Sequence, residues 1–511
     1  MNERRDKVVS ESNEAKPSSQ LPVAAAVSFQ PIDWRRAGLL ALVAVACFHA
    51  AYTPAKSGLL SFAIVGYVIC LVQLARLRTT RQAFYVGLAT GFACIAPQLE
   101  CFWRIFGVAA IPLWFVLAFW IALFVMLTHL AIVRLGLKRT ALLVPFLWVG
   151  LEYFRSELYY LKFSWLNVGY AFSGKPFTLF RILGIYGFGC VLVMCATLLS
   201  LWPKKSSARF FQMQAASLLV MIVIFAQWLV TSWTFYVPRP NLVVAGVQLE
   251  FPDTDQVITA LDRIVAEQKR LANRIGNPPL TNVELVVLSE YTVDGEPPDA
   301  LRDWCRINQK FLIVGGKDSS PGMNFYNTAF VISTNGEIVF KQVKSVPIQF
   351  FKDGLPAPEQ KLWDSPWGKI GICICYDLCY TGVTDELVRQ GAQMIIAPTM
   401  DVADWGQHQH ELHARVAPVR AAEYSIPIFR LASSGISQGV DRNGRTKSWA
   451  PFPGEGEMIF FGTHLGTKGS LPFDRWFAPF CVVVTAGFVL WTLAVTWKRK
   501  LASPLTGIPS A

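Results

Sequence analysis

The chain of 511 residues is 53% hydrophobic and only 16% charged, too apolar a balance for an ordinary water-soluble protein of this length. Its net charge of +12 would suit a nucleic-acid partner, but basic residues of membrane proteins collect in cytoplasmic connectors, so their positions decide what the charge means. Eleven cysteines lie scattered, mostly in apolar runs, without the paired spacing of a disulfide framework.

In chain order, the polar opening "MNERRDKVVSESNEAKPSSQ" is expected to be a disordered tail and not a cleavable signal, within a cytoplasmic segment 1–36. Apolar runs long enough to cross a bilayer as helices follow near 37–54, 58–76, 83–103, 111–134, 139–153, 177–201 and 213–234, within a bundle 37–235. An eighth lies near 475–497, in the final segment 473–511. The connectors after spans two, four and six hold Arg76, Arg78, Arg81, Arg134, Lys138, Arg139, Lys204, Lys205 and Arg209. Those after spans one, three and five hold fewer, Lys56, Arg104, Arg155, Lys162 and Lys175. Arg35 and Arg36 precede the first span and "WKRK" follows the last. This asymmetry predicts cytoplasmic termini and puts the block 236–472 on the far side of the membrane. The positive charge is then topological, and nucleic acid is not an expected partner.

That block alternates short β-rich runs with helical stretches. "NLVVAGVQL" (241–249), "VELVVLSE" (283–290), "KFLIVGG" (310–316), "NTAFVIS" (327–333), "GKIGICIC" (368–375) and "AQMIIAPT" (392–399) have the pattern of strands. Helices are expected over 258–275, 384–391 and 408–424, the last interrupted by Pro418. The predicted class is a polytopic helical membrane bundle of about eight spans joined to an α/β domain with a sheet buried on both faces.

Three polar residues stand at or just past strand ends, where α/β folds gather their chemistry: Glu290, Lys344 and Cys375. A thiol is mostly protonated at neutral pH and needs a base to take its proton and donors to hold the oxyanion on an attacked carbonyl. Glu290 can be the base, Lys344 the oxyanion donor, and the backbone N–H of Tyr376 a second donor.

The order Glu, Lys, Cys and the contexts "LVVLSE", "GEIVFKQVK", "GICICYD" and "ELVRQGAQMIIAPT" resemble the carbon–nitrogen hydrolase (nitrilase) superfamily. "RAAEYSIPIFRLASSGIS" (420–437) and the turn "DRNG" (441–444) extend the likeness. A nitrilase-like domain between a seventh and an eighth span, with "FSWLNVGYAFS" (163–173) and "DVADWGQHQHELHARVAPVRAAE" (401–423), is similar to the apolipoprotein N-acyltransferase family. The resemblance implies an α-β-β-α sandwich held on the periplasmic side of a bacterial inner membrane. It implies ping-pong acyl transfer from a phospholipid, through a thioester on Cys375, to the α-amine of a diacylglyceryl-cysteine on an apolipoprotein. A monomer without metal or dissociable cofactor is expected, with Trp405 and Gly406 as a possible substrate gate.

The pattern departs from the family after its lysine. Where the family continues into His-Leu-Val-Pro-Phe-Gly-Glu, this chain has "SVPIQFFKDG" (345–354), in which Gln349 best matches the glutamate and Asp353 is the nearest carboxylate. Asp377 stands where the family often has glutamate. Lys341 rivals Lys344, but the superfamily spacing selects Lys344.

Blander readings compete. Cys373 and Cys375, two apart on an expected strand, could be packing, and so could Cys379. Neither the cysteine spacings of two and four nor the positions of His408, His410 and His413 suit a zinc site; those histidines are expected to line the domain's mouth or face solvent. Glu152 and Arg155, beside the fifth span, could pair or contact headgroups. Rival functions are a membrane-anchored amidohydrolase, a non-catalytic lipid- or lipoprotein-binding paralogue, and a transporter, which the sparse ionisable residues within the spans disfavour.

Overall fold

The structure, a computed structural model, describes residues 30–53, 58–173, 178–201, 208–230, 240–275, 282–320, 322 and 324–502. Of the expected tail 1–36, residues 1–29 lie outside the described residues, and Trp34–Arg36 are not disordered but open the first helix.

The first part is helical: α1 Trp34–Tyr52, α2 Ala63–Leu74, α3 Thr80–Gln98, α4 Cys101–Phe106, α5 Ala110–Tyr153, α6 Leu179–Ser200 and α7 Ala208–Val230. Side chains cap two of them. Asp33 accepts from the Arg36 N–H at 2.8 Å, and Thr79 from the Gln82 N–H at 3.2 Å, each satisfying an otherwise orphaned first-turn donor. The fourth and fifth expected spans form one helical run, α5, interrupted at Gly136 (φ 77°, ψ 166°). Only glycine adopts that backbone readily, so Arg134, Lys138 and Arg139 surround a kink and not a loop. Gly87 and Gly91 let α3 approach α5 closely; a Cβ on either would come within about 3 Å of Ala122 or Ala118.

Among the described residues, four helical runs are long and apolar enough to cross a membrane: Trp34–Tyr52, Cys101–Leu158, Leu179–Ser200 and Asp474–Lys498. Leu59–Leu74 and Phe211–Gln227 are apolar but shorter. Leu42, Phe115, Phe119, Ile222, Val483 and Leu490 are exposed on the outer faces of these helices, an apolar surface that water disfavours.

The second part holds β1 Leu242–Val247, α8 Thr254–Ile275, β2 Leu285–Val287, α9 Asp299–Asn308, β3 Phe311–Ser319, β4 Phe325–Ile332, β5 Ile338–Val343, β6 Leu362–Ser365, β7 Gly368–Ile372, α10 Thr381–Arg389, β8 Met394–Thr399, α11 Gln407–Ala414, α12 Val416–Tyr424, β9 Ile428–Ala432, β10 Ser437–Val440, β11 Thr446–Ala450 and β12 Met458–Thr463. They form two six-stranded sheets, ordered β12-β1-β2-β3-β4-β5 and β11-β10-β9-β8-β7-β6. Each has a parallel core, β1-β2-β3 in one and β7-β8-β9 in the other, with antiparallel strands outside it.

The sheets pack face to face. Leu431 of β9 lies beneath Gly246 of β1, and Phe429 stacks on Phe461 of β12 with ring centroids 6.3 Å apart. On the outer face of the first sheet, Val257, Leu261, Leu301 and Trp304 of α8 and α9 bury Val243, Val286 and Leu312. On the second, Leu387 of α10 packs against Gly371 of β7. The near-continuous apolar strands belong to this α-β-β-α layering, because both faces of each sheet are covered.

Two local readings change. Strand β7 stops at Ile372, so Cys373 and Cys375 do not share a strand face; Cys375 opens a 3-10 turn over Cys375–Cys379. The helical stretch near 408–424 breaks at Arg415 and not at Pro418, which sits in the first turn of α12, where its missing N–H costs nothing.

The last helix, α13 Asp474–Ala502, returns to the bundle, and its start ties the two parts together. Arg475 pairs with Asp385 at 2.8 Å, Asp474 at 2.7 Å and Glu423 at 3.4 Å, and Arg420 pairs with Glu423 at 2.6 Å. Glu423 accepts from the Ile185 N–H of α6 at 2.7 Å, and Asp474 from the Tyr186 N–H at 2.9 Å.

Candidate active site

Glu290, Lys344 and Cys375 converge where the two sheets and the bundle meet. Glu290 stands three residues beyond β2 and is buried. Its Oε1 accepts from Lys344 Nζ at 2.9 Å and from Asn327 Nδ2 at 2.6 Å, and its Oε2 from the Met400 N–H at 2.8 Å. Met400 bridges to the nucleophile, since its carbonyl lies 3.8 Å from Cys375 Sγ. Lys344, just past β5, is fully buried, and its Nζ is 2.7 Å from Asp353 Oδ2. Lys341, the rival, is half-exposed on β5 and occupied by Glu296 at 2.7 Å and Asp318 at 3.0 Å.

Of the two candidates for the departed glutamate, the structure brings only Asp353 to the lysine. Asp353 also accepts from Asn327 Nδ2 at 2.9 Å, the Tyr291 hydroxyl at 2.8 Å and the Ile348 N–H at 2.7 Å. Gln349 faces the bundle, donating to the Tyr160 carbonyl at 3.2 Å. The longer loop after Lys344 thus folds back on itself and returns a carboxylate to the same ammonium.

Cys375 has φ 53°, a left-handed conformation that costs a non-glycine residue roughly 1–2 kcal/mol. Asp377 holds it there. Its carboxylate accepts from the N–H groups of Ile374 at 3.2 Å, Ser345 at 3.0 Å and Val346 at 2.8 Å, clamping the turn to the lysine loop. Burial raises the pKa of the Asp377 carboxyl to about 6, against the lowering influence of Lys344 and these donors.

Burial, with the negative Glu290 beside it, pushes the Cys375 thiol well above its usual range; Lys344 pulls it down by less. Burial disfavours charge on Lys344, but Glu290, Cys375 and Asp353 outweigh it and raise the ammonium well above its ordinary value. The resting cluster is therefore a neutral thiol beside a fixed ammonium and two carboxylates. It suits a reaction in which the thiol's proton leaves only as the sulfur attacks.

The thiol opens onto a cavity of about 130 Å³ that both parts of the chain line. Phe102, Ile105 and Phe106 of α4, Leu117 of α5 and Phe163 wall it from the bundle; Phe351, Tyr376 and Trp405 from the other side. Trp405 is half-buried with its ring 6.5 Å from that of Phe351, and Gly406 (φ 87°) lies against Arg104.

The histidines do not face solvent as a group. His410 and His413 are buried around Asp401, with His413 Nδ1 2.9 Å from its carboxylate, and Arg430 also binds Asp401. His413 stacks on Trp165 with centroids 4.9 Å apart. Only His408 is half-exposed, on Gln98 of α3 at 2.8 Å. Among the described residues, no three His, Cys, Asp or Glu side chains are grouped to hold a metal. Glu152 and Arg155 do not pair: Glu152 accepts from the Val168 N–H at 2.9 Å and Arg155 binds Asn167. Cys373 and Cys379 are buried, Cys379 beneath the Trp165 N–H at 3.2 Å.

Sequence reasoning missed Asn327, Tyr291 and Asp401. Asn327, which bonds both carboxylates, opens "NTAFVIS", and an amide leading an apolar strand is the one signal that could have found it.

Residues 44–198 match the family model described as apolipoprotein N-acyltransferase N-terminal domain, and residues 244–453 the model described as carbon–nitrogen hydrolase. An apolipoprotein N-acyltransferase of Geobacter metallireducens is 22% identical over 87% of this chain and 92% of its own length. One of Allorhizobium ampelinum is 26% identical over 63% of this chain and 66% of its own. A formamidase of Bacillus thuringiensis is 29% identical over 31% of this chain and 53% of its own. The two domain matches, in this order on one chain, place the protein in the apolipoprotein N-acyltransferase family, within the carbon–nitrogen hydrolase superfamily.

Proposed function

We propose that the protein is a multi-pass acyltransferase of a bacterial inner membrane, acting as a monomer. It moves a fatty acyl chain from a phospholipid, through a thioester on Cys375, to the α-amine of the N-terminal diacylglyceryl-cysteine of an apolipoprotein. Eight spans, cytoplasmic termini and a periplasmic catalytic domain complete the proposal. The observation that carries it is the junction of a buried Glu–Lys–Cys cluster with an apolar cavity that the helical bundle helps to wall. A soluble amidase acting on small polar amides needs no such wall; a lipid donor needs it to bring its ester from the bilayer to the sulfur.

In the first half-reaction Glu290 takes the thiol proton as Cys375 attacks the ester carbonyl. Lys344 and the Tyr376 N–H hold the oxyanion. When the C–O bond breaks, Glu290 returns the proton to the departing lysophospholipid alkoxide. In the second, the α-amine attacks the thioester and gives its proton to Glu290. The C–S bond breaks, and the thiolate recovers that proton. Asp353 and Asn327 keep Lys344 and Glu290 in register throughout, Asp377 keeps the turn, and Trp405 with Gly406 gates the cavity.

The test supplies full-length protein with phospholipid carrying a labelled acyl chain and a synthetic diacylglyceryl-cysteinyl peptide. Amide-linked label on the peptide is expected. Release of labelled fatty acid without peptide acylation would replace the reading with a membrane-anchored hydrolase.

A further inference from the structure

Lys162 lies in the loop that follows α5, on the side where the charge asymmetry predicts few basic residues, so topology does not explain it. It lines the same cavity as Cys375. Its ammonium sits 5.3 Å over the Tyr380 ring, and its backbone carbonyl accepts from the hydroxyl of Tyr376, the residue after the nucleophile, at 3.3 Å. Among the described residues, no carboxylate lies within 4.0 Å of its Nζ. The neighbouring Arg104 differs, being paired with Glu100 at 3.1 Å.

Lys162 is the one lysine or arginine lining that cavity among the described residues. The walls are otherwise almost wholly apolar or aromatic, and burial holds the His413 imidazole below its ordinary pKa despite Asp401. An ammonium held over an aromatic ring at the edge of a hydrocarbon-lined space, without a carboxylate partner, is a site for an anion that arrives attached to an apolar chain. An acyl donor from the bilayer carries both: an acyl chain for the apolar walls and a phosphodiester a few bonds from the scissile ester.

We infer that Lys162 binds the phosphodiester of the phospholipid donor and so positions its ester carbonyl over Cys375; this rests on the acyl-donor reading above. The lysine's contribution ends with the first half-reaction, because the diacylglyceryl acceptor carries no phosphate. The cavity then distinguishes donor from acceptor by charge, while its apolar walls serve both.

The experiment follows thioester loading of the full-length protein in detergent by intact mass, without acceptor. Wild type, Lys162→Met and Lys162→Arg are each given dipalmitoyl phosphatidylglycerol or the uncharged ester p-nitrophenyl palmitate. The ratio of loading efficiencies, phospholipid to uncharged ester, is expected to fall about tenfold or more in Lys162→Met and to recover largely in Lys162→Arg, as loss of a charge-assisted hydrogen bond predicts. The uncharged ester also reports folding, since a misfolded variant would lose both donors together and leave the ratio unmoved. An unmoved ratio in folded Lys162→Met, or an arginine variant as impaired as the methionine one, would overturn the inference and leave the acyltransferase reading standing. Competition by soluble glycerophosphoglycerol as strong as that by the phospholipid would overturn it too, by assigning the site to a water-borne phosphodiester. Loading of wild type from neither donor would remove the underlying reading and this inference with it.

Discussion

Two buried charge clusters lie at the meeting of the bundle and the sandwich, and they have the same formal balance. At the α13 junction, Asp385, Glu423 and Asp474 face Arg420 and Arg475; around the thiol, Glu290 and Asp353 face Lys344. Counting only the buried groups, each carries one more carboxylate than cations; at the junction the exposed Arg389 also reaches Asp385, at 3.9 Å. At the junction the surplus is spent on backbone N–H groups of Ile185 and Tyr186, and the cluster lines none of the cavities described above. Around Cys375 the surplus faces a thiol, holds its proton on, and adjoins a cavity. Charge count alone does not separate a structural tie from a reactive site. What separates them is whether the last negative charge is satisfied by the fold or left facing a group that can give up a proton.

The contrast can be broken in graded ways. Cys375→Ala should abolish acyl transfer, by more than about a thousandfold, with little change in thermal stability; transfer assays and a melting curve on the same preparation check both. Glu290→Gln should lower the loading rate by about a hundred- to ten-thousandfold. Asp353→Asn should cost roughly a hundredfold, whereas Gln349→Ala should cost a few fold, because only Asp353 touches Lys344. Equal effects at 349 and 353 would refute the assignment of the carboxylate. At the junction, Arg475→Met should leave three carboxylates with one buried guanidinium, Arg420, and the exposed Arg389 at 3.9 Å from Asp385. It should destabilise the protein by about 3–5 kcal/mol while the molecules that remain folded load at an ordinary rate.

The smallest effect has a definite sign. Glu290 raises the thiol's pKa and Lys344 lowers it. Alkylation of Cys375 by iodoacetamide should therefore reach half-maximal rate at lower pH in Glu290→Gln than in wild type, and at higher pH in Lys344→Met. Opposite shifts in the two variants are the signature; shifts in one direction would point to changed access instead.

The sequence carried the strand cores of the sandwich because apolar runs such as "NLVVAGVQL" and "AQMIIAPT" are buried on both faces, and burial imposes composition. It carried the three central residues because each follows such a run. It named no strand for β6, β9 or β12, and for β10 and β11 only the turn that joins them; β9 is a buried strand interrupted by Arg430, whereas β6, β10, β11 and β12 are edge or near-edge strands with mixed residues, four to six long. Periodicity has little to act on there. It also placed Cys375 on a strand, since nothing local announces a left-handed residue held by Asp377 from two positions ahead. Asp353 was visible as the nearest carboxylate, but that the loop would turn it back to Lys344, and Gln349 away to Tyr160, depends on contacts with Asn327 and Tyr291 far off in sequence.

The central claim is that Cys375 becomes acylated by a phospholipid. The direct measurement is the intact mass of the full-length protein after incubation with a phospholipid of defined chain length, beside Cys375→Ser. The account predicts an increment of one acyl chain, removed by neutral hydroxylamine and absent as a thioester from the variant. No increment, under conditions where an established acyltransferase of this family is loaded, would contradict it and leave a protein that binds lipid without turning it over.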